Sequence, residues 1–229
     1  MRLLLLAISS ASCPPFAAAD GGPLVRVSEG ALAAWAMAHD HSDTAIGRAE
    51  LIAHHALVSR LHDHADGVLP ARFPTWTDEA ALRVVLRQQA TAYGAGLEHV
   101  RGRVELAVTA LWTEAPEAAR RHGDDQQARL SPGTRYLLQR QEAFVGSDRR
   151  RATATSLADE LEHEVGEVVA DSQRQVCPST NVALSMALLV ARAAVPDVQV
   201  GLLRHRAGVR ILVNGPWPPY TFAAVVREA

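Results

Sequence analysis

From Glu114 to Pro132 the chain carries one large apolar side chain, Leu130, among alanines, acids, arginines, glutamines and prolines. A stretch of that composition has nothing to bury, so it reads as a linker or mobile loop. It divides the 229 residues into two folding regions, 1–113 and 133–229, each long enough to enclose its own core. Hydrophobic residues make up 48% and charged residues 21%, with a net charge of -2. That balance excludes a disordered chain and speaks against a nucleic-acid-binding surface. All 23 basic residues are arginine, so chemistry that needs a phosphate-loop lysine, a Schiff-base lysine or a lysine base is unavailable to any fold of this chain. Aromatics are only 5%, which leaves Ala, Val and Leu to build the cores.

The first region alternates strand and helix signals. Leu3 to Ile8 is an unbroken apolar run. With Arg2 before it and Ala17-Ala18-Ala19 beyond, it has the outline of a secretory signal peptide, but also that of a buried first strand. Six apolar residues are few for an export signal, and the two cysteines, Cys13 and Cys177, do not form a disulfide framework, so a cytoplasmic protein is expected. Leu24 to Val27 and Ala31 to Met37 flank Glu29-Gly30 as a hairpin. Ile46, Leu51, Ile52, Leu57, Val58 and Leu61 recur at helical spacing. Val68 to Phe73 is a short edge strand that admits Pro70. Thr77-Asp78-Glu79 opens a helix with Leu82, Val85, Leu86, Tyr93 and Leu97 as its buried stripe, Thr77 being the expected cap. Val104 to Val108 alternates as a strand.

Beyond the linker, Tyr136 to Phe144 is helical, and Ser156 is expected to cap a further helix burying Leu157, Leu161, Val165, Val168 and Val169. Asn181 to Val190 is an apolar strand too short to span a membrane, and Val209 to Val213 is another.

Catalytic patterns are thin. His39-Asp40-His41-Ser42-Asp43 is echoed by His62-Asp63-His64-Ala65-Asp66, and imidazoles with carboxylates at such spacing can ligate zinc. Metallo-beta-lactamase-type hydrolases carry a similar run, but with a further histidine where this chain has Thr44 and Gly67. A zinc-dependent hydrolase using the His39/His41 and His62/His64 clusters is therefore the alternative function. Glu160 and His163 form one half of a di-iron helix motif without a second copy. Gly94-Ala95-Gly96 lacks the third glycine of a dinucleotide loop. No catalytic residue, metal ligand or cofactor is assigned, and the expectation is a protein that is not an enzyme and takes no small-molecule substrate.

Three segments carry a resemblance. Gly215-Pro216-Trp217-Pro218-Pro219-Tyr220-Thr221-Phe222 interleaves aromatics with prolines. Val68-Leu69-Pro70-Ala71-Arg72-Phe73 is followed by the acid-opened helix and Arg101-Gly102-Arg103-Val104-Glu105-Leu106; Ser131-Pro132-Gly133-Thr134-Arg135-Tyr136-Leu137-Leu138 opens the second half. Together they resemble the gas vesicle GvpF/GvpL family, accessory proteins of gas vesicle assembly. The resemblance implies an α+β chain of two domains: an N-terminal mixed α+β domain (1–113) and, after the linker at 114–132, a C-terminal modified ferredoxin-like domain with long helices (133–229). The second of these is trimmed here, because Val198-Gln199-Val200-Gly201 is a weak helix former. The resemblance also turns Leu3 to Ile8 into a first strand. It implies a cytoplasmic, gas-vesicle-associated assembly factor whose partners are the shell protein GvpA and other Gvp accessory proteins, with no nucleic acid and no membrane. Proline fixes φ and lowers the entropy lost on binding, so Trp217, Pro218, Pro219, Tyr220 and Phe222 are the candidate partner-binding residues.

Overall fold

The structure is a computed structural model that describes residues 2–16, 24–39, 47–113, 131–177, 179 and 181–223, with backbone alone at 132–139 and 142–144. The expected linker is outside these residues apart from Ser131 and Pro132, as is His41. Two compact units are present, one of Met1–Glu105, Leu189–Arg192 and Gly215–Ala229, the other of Leu106–Leu188 and Ala193–Asn214.

In the first unit, strands β1 (Arg2–Ser10), β2 (Leu24–Glu29), β3 (Leu32–His39), β4 (Val68–Pro70) and β5 (Trp76–Thr77) form one sheet in the order β2-β3-β1-β4, with β5 also on β1. The apolar run that outlined a signal peptide is the central strand. It pairs antiparallel with β3 along one edge, and along the other with β4 at Ala7–Ser9 and β5 at Leu3–Leu4. Enclosed on both edges and both faces, Leu3 to Ile8 are all buried, which is why they read as a continuous run rather than an alternating one. A bulge between Leu5 and Ala7 resets its register with β3. Gly30, at φ +58°, makes the β2–β3 turn that a side chain would strain.

Helix α1 (Arg48–His64) starts where Glu50 Oε2 accepts a hydrogen bond from the Gly47 N–H at 2.9 Å. It packs through Val58 and Leu61 onto Leu6, Trp35 and Val68. The buried Trp35 indole N–H donates to Ser9 Oγ at 2.8 Å. The opposite sheet face takes α2 (Glu79–Gln88) and α3 (Ala90–Val100). Leu69, next to Val68 and so on the other side of the strand, lies where a Cβ on Gly96 of α3 would fall 3.2 Å from Leu69 Cδ1.

Two expectations are corrected here. Asp78, not Thr77, caps α2: its carboxylate accepts from the Ala81 N–H at 2.9 Å, a stronger partner than a hydroxyl for the helix dipole. The single helix expected from Thr77 is two, broken at Gln89, which serves as C-cap of one and N-cap of the next.

The elements β6 (Arg103–Trp112), α4 (Pro132–Val165), β7 (Val169–Val176), β8 (Val182–Ala191), α5 (Val195–Leu202) and β9 (Val209–Trp217) follow in order, the greater part of them in the second unit, and the sheet order is β7-β8-β6-β9. This is the β-α-β-β-α-β succession of a ferredoxin-like fold, within a chain that is α+β throughout. Helix α5 has eight residues. Ser156 does not open a helix: it sits inside the 34-residue α4, which begins at Pro132, a residue suited to a first helical position. Ala154, Leu157, Ala158, Leu161 and Val165 are its buried stripe. Val168 and Val169 are not on it, because Gly166 at φ +51° ends the helix and the chain enters β7, a strand the sequence did not announce. Three acids near the end of α4 are paired with arginines. Arg174 reaches Asp159 and Glu162, and Arg204 and Arg206 reach Glu164.

Candidate functional site

The face that α1 turns to the sheet takes in Leu61 but not Leu51 or Ile52. His54, Val58, Leu61 and His62 are buried, whereas Leu51 and Ile52 are 47% and 57% exposed. The His54 ring explains the rotation: its Nε2 hydrogen-bonds the Leu5 carbonyl of β1 at 3.2 Å and its face meets Phe73. Burial, more than the neighbouring His55, pulls the His54 pKa below the usual imidazole value, against the Leu5 carbonyl, which raises it. With the histidines inside, Leu51 and Ile52 are left facing out.

They form one wall of a groove of about 770 Å³, with His54 and His55 at its base. Pro70 at the end of β4, with Arg72 and Phe73 just after it, lines the groove opposite, and Tyr220 and Ala223 complete the lining. Thus two of the segments that carried the resemblance meet here. The His55 ring lies 5.3 Å from the Trp217 ring and 5.7 Å from that of Tyr220, and its Nδ1 hydrogen-bonds the Tyr220 hydroxyl at 3.1 Å. Burial, and secondarily the charge of Glu105, raises the Tyr220 pKa, so the hydroxyl stays protonated.

The 217–223 segment is anchored by one carboxylate. Glu105 of β6 is buried, and its two oxygens accept from the Thr221 N–H at 2.8 Å and the Thr221 hydroxyl at 2.7 Å. Each such bond to an ionised acceptor contributes about 1.5–3 kcal/mol. The candidate residues therefore divide. Pro218, Pro219 and Phe222 are buried, Tyr220 is half-buried, and Trp217 stands 40% exposed.

Sequence reasoning passed over Glu105, whose place in the alternation of β6 pointed it outward; the signal was an acid flanked by valine and leucine. It also passed over His55 and Arg72. Arg72 is exposed at the groove, and among the described residues its guanidinium has no hydrogen bond or ion pair.

The zinc clusters gain no support. His39 packs edge-on against Trp76, His64 lies against Phe16, and His62 is buried beside the ion pair of Asp63 with Arg192. Among the described residues, no three potential ligands come together.

A family model described as gas vesicle synthesis protein GvpL/GvpF matches residues 6–224, and so takes in every wall of the groove. The chain belongs to this family. Gas vesicle protein L2 of Halobacterium salinarum is 31% identical over 195 residues, 76% of this chain and 70% of that protein. Gas vesicle protein L of a Streptomyces species is 30% identical over 188 residues, 77% of this chain and 69% of that one. The crystal structure of GvpF from Microcystis aeruginosa has the same fold, with a TM-score of 0.73 at 16% identity over 97% of this chain and 98% of that one. GvpF from Anabaena gives 0.72 at 17% identity over the same shares. Family membership places the protein in gas vesicle formation. Among the described residues no helix is long and apolar enough to cross a membrane.

Proposed function

We propose that this GvpL/GvpF-family protein is a cytoplasmic assembly factor that binds the small apolar shell protein GvpA and limits its aggregation during nucleation, alongside other Gvp accessory proteins. The observation that carries this reading is the groove, whose outward Leu51 and Ile52 leave apolar surface uncovered, with Trp217, also exposed, against His55 of its lining. Contiguous exposed apolar surface beside polar rims marks interaction sites. The proline-stiffened segment fixed by Glu105 presents Trp217 and Tyr220 with little conformational entropy left to lose. The function requires no catalytic step. Clean deletion of the gene is the test. Loss of vesicles, together with co-purification of GvpA with the restored protein, is the expected result; vesicles in normal number would overturn the reading.

A further inference from the structure

Building on the reading that the protein holds a partner polypeptide, we infer that the groove takes a segment that is apolar along most of its length and carries one aspartate or glutamate, whose carboxylate pairs with Arg72. The apolar part of the recognition is set by Leu51, Ile52 and Phe73. The charge is set by contrast with other arginines of the unit, of which Arg2 and Arg26 lie over tryptophan rings, Arg103 reaches the His99 carbonyl, and four more meet acids. Arg83 and Arg87 are tied to Glu29, Arg101 to Glu98 and Arg192 to Asp63. Arg72 has no such acid among the described residues, and neither has Arg48, which is exposed one turn before Ile52 on the same side of α1. Among the described residues, none of the lining is acidic, and Glu105, the acid that anchors the 217–223 segment, is buried with both oxygens engaged by Thr221. A planar guanidinium with its donors free is the partner of choice for a carboxylate, which it binds with two parallel hydrogen bonds. A basic segment would meet repulsion at this wall, and a wholly apolar one would leave the guanidinium partly desolvated without a counter-charge.

The test uses the full chain, intact GvpA and overlapping short peptides covering GvpA, with binding followed by fluorescence anisotropy. The peptide that binds best should hold an acid within an apolar stretch, and changing that acid to its amide should weaken it about tenfold. Arg72→Glu should lose about tenfold or more for intact GvpA and peptide alike, and should regain binding when the peptide acid is replaced by lysine. Arg72→Lys should lose only the fork and fall between. Because Arg72 is exposed, unchanged melting of the variants separates recognition from folding. Equal binding of GvpA by the wild type and Arg72→Glu overturns this inference and leaves the wider reading standing. Wild-type protein that binds neither GvpA nor any peptide overturns both. Displacement of a bound peptide by inorganic phosphate as readily from Arg72→Glu as from the wild type also refutes the pairing.

Discussion

His62 makes the fold's stability depend on pH in a calculable way. It is 4% exposed on the inner face of α1, and neither ring nitrogen has a hydrogen-bond partner among the described residues. Burial, helped by Arg192 and opposed by Asp63, lowers its pKa from 6.5 to about 4. Above pH 6.5 the ring is neutral folded or unfolded, and the stability is fully present. As pH falls from 6.5 towards about 4, the unfolded chain takes up a proton that the folded chain refuses, so stability is lost through that window and the loss from this group levels off below it. The gap between the two values, at about 1.4 kcal/mol per unit, makes the loss roughly 3 kcal/mol. His62→Leu keeps a similar volume and adds no polar atom. Urea unfolding of the wild type and this variant across that range gives the contribution as a difference of differences, which cancels every other titrating group, His54 included. The variant should match or exceed the wild type at neutral pH and retain roughly 3 kcal/mol more of its stability on acidification. Parallel pH profiles for the two proteins would refute the placement of a neutral, unpartnered imidazole at this position.

Glu105→Ala removes both acceptors of Thr221 and should cost at least about 2 kcal/mol in chemical unfolding, while exposing the chain after Trp217 to proteolysis. Gly96→Val should destabilise by about 1–3 kcal/mol, because even a Cβ there comes within 3.2 Å of Leu69; thermal melts will show it. Burial raises the Cys13 thiol pKa above its usual value, and Cys177 is half-buried. A thiol-modifying disulfide reagent should therefore label Cys177 in the native protein and Cys13 only on unfolding.

The strands were legible wherever burial forced a pattern. β1 is covered on every side and its run has no gap; the β2–β3 hairpin shows at Glu29-Gly30. β7 was not legible, since Val169-Ala170-Asp171-Ser172-Gln173-Arg174-Gln175-Val176 is mostly exposed at the end of its sheet and offers no apolar alternation. The helix of 34 residues read as two pieces because Arg149, Arg150 and Arg151 interrupt its apolar stripe, while a serine followed by an acid imitates a start at Ser156. The groove was half legible. Its proline-aromatic segment stood out in sequence, but the opposing wall did not, because a leucine and an isoleucine at helical spacing signal a core. Only the hydrogen bond from His54 to the Leu5 carbonyl turns them outward. A polar contact made across dozens of residues of chain leaves no periodic trace.

Capture of the vesicle shell protein by the uncovered apolar groove, before the shell protein aggregates, should be visible in solution. Light scattering by GvpA diluted out of denaturant tests it most directly, with this protein present at equal concentration as the wild type or as Ile52→Asp, a change at an exposed position. The account predicts that the wild type suppresses the rise in scattering and Ile52→Asp does not, although both melt alike. Scattering that rises equally with the wild type, with the variant and with neither would contradict it.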